Sequence, residues 1–455
     1  MLPFTNISAD PENEYFSDGI TEEIINALAQ LPGLHVAART SAFSFKGQNV
    51  DLRTVGEKLN VATVLEGSVR KVGNRVRITA QLIDAADGYH LWSERYDREL
   101  DDIFAIQDEI ASTIADHLKV TLAGGSDQAL VKPATANLEA YELYLKGRFH
   151  LYQRVDLSFQ NALECFERAV ALDSDYAQAH AGMAETHAML GFYGLRRPNE
   201  VMPKAKVEAL RALALDDTLG VAHHALALVK LLHEWDWAGA TGEFQRALDL
   251  DPGSAVIRSQ YALFILQMLE GRHEQAIAEG RRALESDPLS AYPKYVVSLI
   301  MAVAGKHEEG IRLAQAAVSN EPNSFMGYRS LGLAYRWQGK HEEATAALER
   351  AVEVSGRHQW SVGDLFAEYA AQGRWDEANL LMEELRERSE HEYVQPIWRA
   401  MSEGLLGNMD AAFEALELAY AERDTILALV KYWPEFDPLR GDSRWDELMQ
   451  RMGLT

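Results

Sequence analysis

The chain has 455 residues, 47% hydrophobic and 25% charged, which suffices for two or three packed domains and excludes a disordered polymer. Its 44 Lys and Arg against 69 Asp and Glu give a net charge of −25, and the first 123 residues share the excess with 11 basic and 19 acidic side chains. Acidity spread in this way argues against a phosphate-backbone partner, so no nucleic acid is expected. A single cysteine, Cys165, excludes an intramolecular disulfide and a thiolate metal cage, and its apolar surroundings suit a buried, inert thiol.

In chain order, Met1-Leu2-Pro3-Phe4 has the character of a strand end. Ile20, Ile24, Leu28 and Leu31 line one helical face before Pro32-Gly33 stops it. Residues 34–38 are a short strand candidate, and 51–59 suit a second helix with Val55 and Leu59 on one side. Val76, Ile78, Ala80 and Leu82 alternate with Arg75, Arg77, Thr79 and Gln81, so 62–72 and 75–84 form a hairpin around Gly73-Asn74. Asp87-Gly88 turns into a strand over 90–96. Ile103, Ile106, Ile110, Ile114 and Leu118 then mark a helix over roughly 101–120. The expectation is an α+β domain over residues 1–122, a small sheet covered by about three helices, followed by a linker over 123–136 that contains Gly124-Gly125-Ser126.

A fixed period governs the longer, C-terminal part of the chain. Gly271, Gly305, Gly339, Gly373 and Gly407 are 34 residues apart, each followed after five residues by a small side chain, Ala276, Gly310, Ala344, Ala378 and Ala412. Glycine lets the backbone turn between two antiparallel helices, and the small residues let those helices approach. Pro252, Pro288 and Pro322 close the second helix of their units. Tyr328-x2-Leu331-Gly332-x2-Tyr335 with Ala344-x3-Leu348 and Ala351 resembles the tetratricopeptide (TPR) repeat at nearly every position. Looser copies begin at Ala162, Ala205 and Ala240, and residues 190–203 form an enlarged turn in the second. About eight repeats are expected over 137–425, an all-α superhelical solenoid. Turn-rich Trp433-Pro434-Glu435-Phe436-Asp437-Pro438-Leu439-Arg440 cannot continue a helix, so 426–455 is expected to cap the final repeat, with Asp442 or Ser443 opening a last short helix.

Leu2-Pro3-Phe4, Tyr15-Phe16-Ser17-Asp18-Gly19-Ile20-Thr21-Glu22, Leu65-Glu66-Gly67-Ser68-Val69-Arg70 and Leu91-Trp92-Ser93-Glu94-Arg95-Tyr96-Asp97 resemble the TolB N-terminal-like, or FlgO-like, domain of bacteria. Trp235-Asp236-Trp237 and the Phe436-to-Arg440 ending resemble the repeat arrays that follow that domain. The resemblance implies bacterial signalling. It also implies that a class III adenylate or guanylate cyclase domain or a winged-helix domain, often with a membrane helix, stands upstream in relatives.

Chemistry in the chain is sparse. His273, His307 and His341 repeat at 34 residues, which the register explains without a metal, and no His-Glu-x-x-His occurs. No cofactor, metal or catalytic set is expected. The resemblance to the repeat family places Tyr261, Ile265, Tyr295, Leu299, Arg329, Leu333, Arg336 and Trp337 on the concave helix faces, where they either bind a protein or peptide partner or pack adjacent repeats. Arg70, Lys71, Arg75 and Arg77 form the one local basic cluster, either an anion or partner patch or a solvated strand face. The function expected is a non-catalytic interaction scaffold, cytoplasmic as it stands. The alternative is the regulatory portion of a cyclase, on the periplasmic side if a membrane segment precedes it.

Overall fold

The computed structural model describes every residue except 30, 32, 49, 119–133, 154–155 and 455. The helix-stopping Pro32, the tail of the helix expected over 101–120 and the Gly-Gly-Ser stretch of the linker lie outside the described residues.

The N-terminal part is a four-stranded sheet in the order β1-β2-β3-β4. It comprises β1 (Thr5–Asn6), β2 (Thr63–Val72), β3 (Arg75–Asp84) and β4 (His90–Glu99). β1 runs parallel to β2, and the other pairs are antiparallel. Gly73 takes the positive φ that the tight β2–β3 turn requires. The alternation of β3 puts Val76, Ile78, Ala80 and Leu82 inward. They meet α1 (Glu14–Ala29) and α4 (Ile103–His117), whose Phe16, Ile20, Ile24, Ile103, Ile106 and Ile110 share one core with Val69 and Tyr96. Two shorter helices follow, α2 (Arg39–Phe43) and α3 (Leu52–Leu59), and α3 supplies Val55 and Leu59 to a second small core with Phe45, Val64 and Ala85.

Residues 34–38 are not a strand. Leu34, Val36 and Ala37 pack against the two cores from an irregular segment. The outer edge of β2 is already taken by β1 and by the Leu2 N–H, which donates to the Leu65 carbonyl at 2.7 Å, so this run finds no ladder to join. Helix α2 is the converse: five residues without a periodic signal, whose N-terminal hydroxyls and Ser41 N–H are tied to the distant Asp287.

Eight antiparallel helix pairs follow among the described residues, a TPR solenoid. The first four are α5 (Leu138–Gln153) with α6 (Asp156–Leu172), α7 (Ala177–Phe192) with α8 (Pro198–Leu215), α9 (Gly220–Val229) with α10 (Trp237–Leu250), and α11 (Ala255–Gln260) with α12 (His273–Ser286). The remainder are α13 (Ala291–Val303) with α14 (His307–Asn320), α15 (Phe325–Trp337) with α16 (His341–Val354), α17 (Gln359–Ala371) with α18 (Trp375–Arg388), and α19 (Pro396–Leu405) with α20 (Met409–Glu422). α9 and α11 continue as π-helical turns, Lys230–Glu234 and Tyr261–Leu269. Pro203 lies inside α8, on its exposed face, and not in an enlarged turn.

The register has a physical cause at each boundary. The five periodic glycines all have φ between 66° and 82°, the left-handed region that costs other residues about 1 kcal/mol or more. Ser254, Ser290 and Ser324, each two residues after a helix-ending proline, accept N–H groups of the next helix at 3.4, 3.2 and 3.4 Å. Within pairs, close approach is set by Gly332, where an added Cβ would stand 2.5 Å from Leu348 Cγ. Alanine normally gains about 1 kcal/mol over glycine in a helix, whereas overpacking costs about 1–3 kcal/mol. Gly332→Ala is therefore expected to destabilise, and an unchanged denaturant midpoint would show that this helix pair can part freely.

The chain does not end as a simple lid. Residues Thr425–Tyr432 and Pro434–Leu439 form two 3-10 helices, and α21 (Ser443–Arg451) follows with Asp442 capping it through the Arg444 N–H at 3.0 Å. Phe436 and Leu439 are buried, with Leu439 against Gly404 of α19, which is capping of the last repeat. The same run also turns inward: Tyr432 reaches Gly271, and Trp237 Nε1 donates to the Met452 carbonyl at 2.8 Å. Pro434, at the first position of the second 3-10 helix, loses no bond, because that N–H would have no partner within the helix; Pro438, inside the same short helix, has no N–H to donate.

The concave face as a candidate binding site

The superhelix closes on itself. Residues 192–194, at the end of α7, offer three carbonyls to side chains from the far end of the chain. His358 Nε2 donates to Tyr193 O at 3.1 Å, Gln359 Nε2 to Gly194 O at 2.9 Å, and Thr425 Oγ1 to Phe192 O at 3.2 Å. Trp360 seals the contact, edge-on to Phe192 at 5.2 Å and 84°. Gln395 Nε2 and the Ile397 and Ile426 N–H groups satisfy Asp424 at 2.9, 3.0 and 3.0 Å, while burial pushes that carboxyl up to about 7.

Closure decides where the expected concave residues lie. Ile265, Tyr295, Leu299 and Leu333 are buried, and Tyr261 is half-buried beside Phe244 with ring centroids 6.2 Å apart. Ile265 and Tyr295 belong to packed clusters. Arg329, Arg336 and Trp337 instead converge, with the chain's own residues 433–436 seated against them. Arg329 pairs with buried Asp364 and lies over the Trp360 and Trp433 rings at 5.2 and 5.4 Å. Arg336 Nη1 is 3.0 Å from a Glu435 carboxylate oxygen, and its Nε is 3.6 Å from Glu368. Trp337 Nε1 donates to Glu435 at 3.2 Å, and its ring meets Trp433 edge-on at 6.0 Å. Burial pushes the Asp364 carboxyl up to about 6 in spite of Arg329.

The acidic members, Asp364, Glu368 and Glu435, were not singled out from the sequence. For Asp364 and Glu368 the available signal was a carboxylate at the interior register of the first helix of a repeat, where Glu368 is 0% exposed; such a side chain is retained only with a cation beside it.

The basic cluster on the hairpin is divided by strand alternation. Arg70 pairs across the ladder with Arg77 on the outer face, whereas Lys71 faces inward with Val76 and pairs with Glu142 of α5. Arg75 and Arg77 both hold Asp97, at 2.9 and 2.5 Å, and their hydrogen bonds keep its carboxyl below the ordinary range. Exposed, paired arginines of this kind contribute little. Among the described residues no group of three or more His, Cys, Asp or Glu is placed to hold a metal, and no helix is long and apolar enough to cross a membrane. Cys165 is buried, and burial raises its thiol above the ordinary range.

The closure contact titrates. Burial lowers the His358 imidazole to about 4, against the pull of the Tyr193 carbonyl, and Nδ1 faces the Trp360 N–H at 3.3 Å, which leaves no place for a second proton. A base with a depressed folded value gives stability that is complete above the unfolded value near 6.5 and is lost as pH falls through about 4. The loss across that window is expected to be on the order of 3 kcal/mol. His358→Phe, which keeps the ring near Phe325 and Trp360, is expected to flatten that part of the stability-versus-pH curve; identical slopes for variant and parent would refute the assignment.

Residues 1–113 match the family model described as HilA/YgeH-like transcriptional regulator, second domain, and residues 328–358 match that of the tetratricopeptide repeat. The protein named "Putative adenylate cyclase 3" of Rhizobium meliloti (strain 1021) is 42% identical over 232 residues, 50% of this chain and 39% of that protein. "Transcriptional regulator HilA" of Salmonella typhimurium is 26% identical over 155 residues, 34% of this chain and 28% of that protein. The chain therefore spans well under half the length of either relative. Among solved structures, a tetratricopeptide repeat protein from Parabacteroides merdae is 15% identical, covering 62% of this chain and all of that one with a TM-score of 0.39.

Proposed function

We propose that this chain is a non-catalytic scaffold that binds a protein or peptide partner through its TPR array, within a bacterial signalling or regulatory assembly. One observation carries the reading: α15 holds a stretch of polypeptide, residues 433–435, through an aromatic ring, two guanidiniums and an indole N–H. Helical arrays of this kind present such a face to extended segments. The N-terminal domain adds a second surface, and its kinship with TolB-N or FlgO-like domains belongs to the same proposal. Hydrogen exchange on the full chain with a captured, purified partner tests the scaffold reading. Protection along residues 138–422 is expected, and protection confined to residues 1–118 would overturn it.

A second reading, the regulatory portion of an adenylate or guanylate cyclase, is favoured by the 42% identity to the Rhizobium meliloti protein. On that reading the chain changes the turnover of that protein's catalytic part when added in trans. Formation of cyclic AMP by the chain alone would contradict both readings.

A further inference from the structure

The segment seated on α15 shows which chemistry that face selects. Trp433 stands over Arg329 and against Trp337, Pro434 is exposed, and the Glu435 carboxylate, two residues after the tryptophan, enters between Arg336 and the Trp337 N–H. A tryptophan face suits a guanidinium, and a carboxylate between a guanidinium and an indole N–H is a charge-assisted contact.

The fit is incomplete in a specific way. Two guanidiniums, Arg329 and Arg336, face three carboxylates, Asp364, Glu368 and Glu435, all nearly inaccessible to water. His341 approaches Glu368 at 2.9 Å from the rim. One oxygen of Glu435 and one of Glu368 have no hydrogen-bond partner. Asp364 and Glu368 arise from α17 and are permanent parts of the face, so Glu435 is the third carboxylate added to a site with two permanent cations. An imperfectly satisfied buried carboxylate loses much of the net gain of burial. That marks residues 433–435 as a weaker tether than the flanking Val430, Phe436 and Leu439, which are deeply buried among apolar side chains.

We propose that Arg329, Arg336 and Trp337 form a recognition site for a peptide bearing an aromatic residue and, two positions later, a carboxylate, and that Trp433 and Glu435 fill it in cis as an exchangeable occupant. The proposal rests on the scaffold reading and specifies the partner's chemistry. A partner segment of this kind displaces residues 433–435 locally, while the apolar anchors on either side keep the rest of the C-terminal run in place.

The test uses the full chain and a fluorescently labelled peptide with the sequence of residues 430–440. Its binding is measured by anisotropy to the parent and to the Trp433→Ala, Glu435→Gln double variant. The emptied site is expected to bind at least tenfold more tightly than the parent. Adding Arg336→Gln, or replacing the peptide's glutamate with glutamine, is expected to remove at least tenfold of that affinity. No binding to the folded double variant, or binding indifferent to Arg336→Gln, would overturn the proposal. If the double variant does not fold, Glu435→Gln alone takes its place; if that also fails to fold, the segment is a fixed part of the core and the proposal falls. Partner protection along the array persisting after such a failure would leave the scaffold reading intact, so the two failures are distinguishable.

Discussion

Arg148→Ala is expected to cost about 3–5 kcal/mol and to loosen the N-terminal domain from the array, because it removes one of the two cations on buried Glu22 and the cation beside partly buried Glu185. Arg148 extends from α5 to Glu22 of α1 at 3.0 Å and to Glu185 of α7 at 3.1 Å. Glu22 is 5% exposed and also takes Arg39 at 3.0 Å and the Tyr152 hydroxyl at 2.7 Å. Burial alone would raise its carboxyl, but Arg148 and Arg39 hold it below the ordinary range. An acid with a depressed folded value contributes stability above its unfolded value that is lost as pH falls through the folded one, so the deficit of the variant is expected to shrink in strong acid. Glu22→Gln with Arg148→Met removes both charges and is expected to cost less than Arg148→Ala, since Arg39 keeps its stacking on Phe43 and Tyr152 at 3.9 and 3.7 Å. Denaturant unfolding measures the cost, and hydrogen exchange over residues 14–29 and 138–153 locates it. A loss below about 1 kcal/mol, the range of exposed pairs, would show that the domain junction does not depend on this cluster.

Trp360→Ala is expected to cost a comparable amount, about 3–5 kcal/mol, and to open the superhelix. Its ring is 2% exposed, packs on Phe192 and Tyr193 at 5.2 and 5.5 Å, and donates Nε1–H to Gln395 at 2.7 Å. Unlike a substitution within one repeat, this one removes a contact between the second helix pair and the seventh. Solution scattering should therefore show a larger radius of gyration for the folded variant than for the parent. Leu380→Ala, at a side chain 71% exposed on α18, is the control and is expected to change stability by no more than about 0.5 kcal/mol. Equal dimensions for both variants would mean that closure does not hang on Trp360.

The repeat type was legible because each periodic residue answers a local demand. Glycine at a left-handed turn, a small residue at a close approach and proline after a helix depend on neighbours within one unit of about 34 residues. The hairpin was legible for the same reason, as its register follows from Gly73 and strict alternation. What failed were inferences that require knowing what lies opposite. Residues 34–38 alternate like a strand but have no edge to pair with, and Arg70 and Lys71 are adjacent in sequence yet face opposite sides of the sheet.

The concave site shows the same limit at larger scale. Repeat register assigns Arg329, Arg336 and Trp337 to the first helix of a repeat, but register says nothing about Asp364, Glu368 and Glu435, which complete the cluster from α17 and from the C-terminal run. By itself the sequence determined an α+β domain followed by a solenoid of helix pairs, since those follow from propensity, period and turn chemistry acting over a few tens of residues. The tertiary structure alone decided that the solenoid curls far enough for its second pair to touch its seventh, and that the C-terminal run lies against α15. Small rotations per repeat accumulate along the array, so closure depends on their sum and on a few buried contacts between distant residues, neither of which is written in any local stretch of the chain.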